Sequence, residues 1–103
     1  MKATEEQIRH WKEQYKCKIF EFSTKEEKEE DRKRAYFRAI PLSVLDAQSN
    51  VRKTSELRAD EVIIENCWLG GDECIKNEDY YKLGLKGWLG MLVVAAEGEM
   101  VEI

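Results

Sequence analysis

Arg58-Ala59-Asp60-Glu61-Val62-Ile63-Ile64-Glu65-Asn66-Cys67-Trp68-Leu69-Gly70-Gly71-Asp72-Glu73 is the stretch on which the reading of this chain turns. With Thr54 or Ser55 as the N-cap, a helix projected at 100° per residue puts Arg58, Glu61 and Glu65 on one narrow face. Leu57, Ala59, Val62, Ile63, Ile64, Cys67 and Trp68 spread over most of the remainder. A helix apolar over that much of its circumference is buried on several sides. The spacing therefore predicts a central helix over 54–69 at the middle of the core. Gly70 and Gly71 can take the positive φ that ends a helix. Asp72 can then cap a short turn over Glu73, Cys74 and Ile75.

Working outward, residues 4–16 predict an N-terminal helix. Thr4 with Gln7 fits the capping-box pattern, and Glu5 and Glu6 suit the positive end of the helix dipole. Ile8, Trp11 and Tyr15 make a narrow apolar stripe, so this helix should pack by one edge. Residues 17–40 change to strand spacing: Phe20 and Phe22, then Ala35, Phe37 and Ala39, alternate with their neighbours. They predict an antiparallel β-hairpin. Between its strands, residues 25–34 are ten consecutive charged residues. The plain expectation is a solvated, mobile hairpin tip; the functional one is an electrostatic contact for a partner.

Pro41 can open a helix, since a first-turn position needs no N–H donor. A short helix of two to three turns and a loop are expected over 41–53, with Leu42, Leu45, Val44 and Val51 as its apolar side. Asn77, Glu78 and Asp79 start a C-terminal helix over 77–96. Tyr81, Leu85, Trp88, Leu92 and Ala95 or Ala96 form its main stripe. Gly84 and Gly87 sit beside Tyr80, Met91 and Val94. Glycines here cost the helix about 1 kcal/mol each against alanine. Close approach of another backbone at Gly84 and Gly87 would offset that; a break near Gly87 is the rival reading. The tail from Glu97 to Ile103 extends the helix or frays. The fold class is α+β: an N-terminal helix and antiparallel β-hairpin packed on a predominantly α-helical C-terminal half, in a single domain over 1–103.

Composition narrows the function. Charged residues are 37% of the chain, against a usual ~25%, and apolar residues 43%, which opposes wholesale disorder. The net charge of −4 does not fit a nucleic-acid binder, which carries a basic excess on one face. No apolar run reaches membrane-spanning length. The first residues carry no secretory signal, so Cys17, Cys67 and Cys74 read as reduced thiols of a cytoplasmic protein. His10 lies mid-helix with no nucleophile placed to pair with it. The spacing of Cys67 and Cys74 lacks the second pair a structural zinc site wants. Asp72 and Glu73 read as a cap rather than a catalytic pair. No catalytic, metal or cofactor site is expected, and Trp11, Trp68 and Trp88 read as core anchors.

Three features now stand together: a Glu-rich first helix with Trp11 and Tyr15, Tyr36-Phe37-Arg38-Ala39-Ile40-Pro41 closing a strand, and Glu65-Asn66-Cys67-Trp68-Leu69-Gly70-Gly71-Asp72-Glu73. Their order resembles small bacteriophage and prophage tail-module proteins of the tail-assembly-chaperone-like kind. The resemblance implies a non-enzymatic protein in the bacterial host cytoplasm that binds tape-measure or tail-tube proteins during assembly. That reading predicts an exposed apolar groove beside the central helix, or an edge strand open to β-augmentation, and self-association or capture of an apolar helix. Trp68, Leu69, Gly84, Gly87, Trp88 and Met91 are the candidate partner-binding residues. The alternative is a small regulatory domain that engages a charged partner through residues 25–34, with steep salt dependence.

Overall fold

The computed structural model describes residues 2–97; the tail expectation for residues 98–103 lies outside them. The order of elements is α1 (Glu5–Tyr15), β1 (Ile19–Ser23), a 3-10 turn (Glu29–Asp31), β2 (Arg34–Arg38), α2 (Leu42–Arg52), α3 (Glu56–Cys67), β3 (Trp68–Gly71), α4 (Cys74–Asn77) and α5 (Asp79–Glu97). The α+β class holds, with an N-terminal helix, a hairpin and a helical C-terminal half. Helix α1 opens with the capping box: Thr4 accepts from the Gln7 N–H, and the Gln7 side chain accepts from the Thr4 N–H. Helix α2 runs through Arg52 and α5 is continuous through Gly87, so the break that is the rival reading there does not occur.

The largest departure is at residues 68–71. The central helix stops at Cys67, and Trp68-Leu69-Gly70-Gly71 is a third strand, which makes the hairpin a sheet of order β1-β2-β3. Both pairings are antiparallel. The physical reason is the second edge of β2, whose backbone donors and acceptors need partners once buried. Trp68 gains a ring packed edge-on against Phe37, with centroids 5.5 Å apart. Leu69 is an extra residue, since Tyr36 pairs with Gly70 and Phe37 with Trp68. Gly71 has φ +133°, and a Cβ there would lie 2.3 Å from the Arg34 carbonyl oxygen. The positive φ therefore serves strand approach, not the helix C-cap that the sequence suggested. The strand is then locked reciprocally: the Asp72 N–H donates to the Arg34 carbonyl at 2.8 Å, and the Asp72 carboxylate accepts the Arg34 N–H at 2.9 Å.

The centre of the core is β2, not α3. Arg34, Ala35, Tyr36 and Phe37 are all buried, so both faces of this strand are covered. On one face Phe22, Ala35 and Phe37 meet Val44 of α2, Ile63 and Cys67 of α3, Ile75 of α4, and Leu85, Leu89, Leu92 and Val93 of α5. On the other, Trp11 of α1 stacks at 5.5 Å on Tyr36. Helix α3 buries a single stripe, Ala59, Ile63 and Cys67, while Leu57 is exposed. Leu42 is exposed as well, and Gln48 takes the buried position one turn after Val44.

The charged run is not a free tip throughout. Arg34 belongs to β2 and is buried, paired with Glu29 of the tip and with Glu21 of β1 at 3.6 Å. Arg32 donates to the Glu26 carbonyl at 3.0 Å and Thr24 accepts the Lys33 N–H at 2.9 Å. Folded back on itself in this way, the segment has less freedom than a mobile loop would.

Candidate functional site

Helix α5 positions the candidate site because its sequence has two unlike sides. Leu85, Leu89, Leu92 and Val93 face the sheet and are buried. The opposite side carries Tyr80, Gly84, Gly87, Met91 and Val94 at spacings of 4, 3, 4 and 3 residues, which keeps them on one outward face. Tyr80 is 81% exposed, Met91 64% and Val94 63%, with Leu83 at 81% along the same ridge. Four large apolar side chains left outside one helix make an apolar patch of the kind that is often functional on a monomer's surface.

The ridge borders a cavity of about 710 Å³ between α5 and the end of β1 with its following turn. Phe22 and Trp88 form its apolar wall, their rings 5.6 Å apart at a steep angle. Ser23, Thr24, Lys25 and Glu26 form the polar rim opposite. Gly84 and Gly87 keep the helix side low. Neither meets another backbone: the nearest atom to a Cβ at Gly84 is the Phe22 ring at 3.8 Å, and nothing lies within 4 Å at Gly87. The close backbone approach expected at these glycines is therefore not made among the described residues.

The six sequence-proposed residues divide. Gly84, Gly87, Trp88 and Met91 line this one cavity. Trp68 and Leu69 sit elsewhere, on β3, where Trp68 is held between Phe37 and the Lys76 ammonium 4.6 Å above its ring. Sequence reasoning left Leu83 and Phe22 out of the site. Leu83 carries a helical-projection signal, one step beside the Tyr80–Gly84–Gly87 face. Phe22 and the turn after it come from far away in sequence and carry none.

A second cavity, about 310 Å³, lies between α3 and α5, with Leu57, Ile64 and Leu89 in its lining and Asp60, Lys82 and Lys86 around it. Burial pushes the Asp60 carboxyl above its ordinary value, against the pull of Lys86 and Arg52. The groove expected beside the central helix corresponds to this smaller space. The edge strand is also present. Across the hairpin the Ala39 N–H donates to the Lys18 carbonyl and the Thr24 N–H to the Lys33 carbonyl, so Ile19, Glu21 and Ser23 turn their backbone groups away from β2.

His10 is exposed on α1, Cys17 and Cys74 are half-buried, and Cys67 is buried. Burial pushes the Cys67 thiol up, with Arg38 opposing. Among the described residues, no group of His, Cys, Asp and Glu is placed to hold a metal ion, and no helix is long and apolar enough to cross a membrane. No protein-family model, curated protein or solved structure matches this chain.

Proposed function

We propose that this chain is a non-enzymatic interaction protein that holds an apolar helical segment of another protein against α5. One observation carries the reading: Tyr80, Leu83, Met91 and Val94 are exposed together beside a cavity floored by glycine and walled by Phe22 and Trp88. Aromatic, aliphatic and glycine surface of this kind fits an amphipathic helix laid into a groove, with anchors every three or four residues. The polar groups at the rim come from one short turn and suit orientation of the segment.

The resemblance of residues 65–73 to tail-assembly-chaperone-like proteins directs the proposal to a partner class. The partner would be a tape-measure or tail-tube protein, met in the cytoplasm of a bacterial host. The test is co-purification of the chain with tape-measure and tail-tube proteins from its own genome, followed by calorimetry. Retention of either protein, weakened at least tenfold by Leu83→Asp or Met91→Asp, is the expected result. Binding that ignores both substitutions and disappears on neutralising Lys25, Lys28 and Lys33 would instead assign the contact to the charged turn.

A further inference from the structure

We infer that, without that partner, the outward face of α5 is covered by α5 of a second copy, packed antiparallel about a two-fold axis. This deepens the proposed function and rests on its reading of α5 as the working face. The argument comes from the order of residues on that face. Tyr80 lies as far before the midpoint of Leu85 and Lys86 as Met91 lies after it, and the same is true of Gly84 and Gly87, and of Leu83 and Trp88. A two-fold axis through that midpoint therefore sets Tyr80 against Met91 of the second copy. It also sets glycine against glycine at the crossing.

The pattern is self-complementary, as an isologous interface requires. It also supplies a backbone to approach Gly84 and Gly87, where among the described residues no main chain of another element lies within 4 Å of an added Cβ. The face is uncharged at Tyr80, Leu83, Gly84, Gly87, Met91 and Val94, in a chain that is 37% charged, so two copies meet without like-charge repulsion. Four exposed side chains of this size present on the order of 500 Å² per copy, taking an aromatic ring at about 150–250 Å². The pair then buries at most roughly 1,000 Å², the lower edge of specific interfaces, where reversible association is expected. A reversible dimer would shield the apolar face and release it to a tighter partner.

Sedimentation equilibrium of the whole chain alone tests this. The expected result is twice the chain mass at high concentration and a monomer on dilution. Gly87→Leu should weaken association at least tenfold while circular dichroism stays native, because among the described residues nothing lies within 4 Å of a Cβ added there. Orientation is read by disulfide trapping in a Cys17→Ser, Cys74→Ser background. Tyr80→Cys mixed with Met91→Cys should cross-link, whereas Tyr80→Cys alone should not, its two copies lying about 16 Å apart along the axis. A monomer up to about 1 mM, or same-position cross-links in preference to mixed ones, would overturn the inference. A monomeric chain that still captures an apolar helix removes the dimer and keeps the proposed function; a dimer that captures none does the reverse.

Discussion

Tyr36 and Phe37 are neighbours in sequence and serve opposite faces of one strand. The Tyr36 hydroxyl donates to Glu21 at 2.7 Å and accepts the Ala3 N–H at 3.0 Å. Burial, with Glu21 assisting, holds its pKa above the ordinary 10.0, against the Ala3 hydrogen bond and Arg34. As pH rises, the unfolded chain loses this proton first. The contribution is therefore complete below about pH 10 and is lost as pH rises through the folded value. Tyr36→Phe should cost about 1–2 kcal/mol at neutral pH, by leaving Glu21 and the Ala3 N–H without that partner. It should also flatten the alkaline fall in stability, followed by urea titrations from pH 8 to 11. Gln48 shows the converse. Its Oε1 is buried without a hydrogen-bond partner among the described residues. Gln48→Met keeps the length and removes the unmet polar group, so the urea midpoint should rise by an amount worth about 1 kcal/mol, with the slope unchanged. Gly71→Ala should lower stability by about 2–4 kcal/mol in the same assay, since positive φ and contact with the Arg34 carbonyl act together.

Elements whose determinants are local were legible from the sequence, and those whose determinants are distant were not. Thr4 and Gln7 meet within one turn, so α1 could be read with its cap. Phe20, Phe22 and the alternation after Arg34 gave the hairpin for the same reason. Strand β3 could not be read that way. Trp68 and Leu69 continue the apolar spacing of α3, and only the open edge of β2, more than thirty residues earlier, converts them to extended backbone. Arg34 was misplaced on similar grounds: its charge reads as solvent-facing until Glu21 and Glu29 are seen on either side of it. In the candidate site, the Gly84–Gly87–Met91 periodicity was visible because helical spacing is local, whereas the Phe22 wall depends on how the sheet meets α5. Helix α5 carries a further prediction. A Cβ at Gly90 meets nothing within 4 Å, so Gly90→Ala should raise stability by about 0.5–1 kcal/mol through helix propensity. Thermal unfolding of the variant against the parent would show it.

For the whole molecule, one aromatic side chain joins the layers. Phe37 touches Trp68 of β3 and Trp88 of α5, at centroid distances of 5.5 and 5.1 Å. Phe37→Ala should cost about 3–5 kcal/mol, a large share of the ~5–15 kcal/mol that holds a domain together. Near-ultraviolet circular dichroism should lose part of its tryptophan signal, because both indoles lose a ring packed against them. The rest of the interior is arranged around that contact, with α1 closing the far side of the sheet through Trp11 and Tyr36.

Strand β2 takes its two neighbours from unequal distances along the chain, and this sets an order of events during synthesis. When β2 leaves the ribosome, β1 has already emerged and the hairpin can close. Its other margin stays open until α2, α3 and then Trp68–Gly71 have been translated. A nascent chain paused before Gly71 therefore offers a bare row of amides and carbonyls that other nascent chains can seize. The Asp72 latch onto Arg34 ends that exposure, and it arrives one residue after the strand it secures.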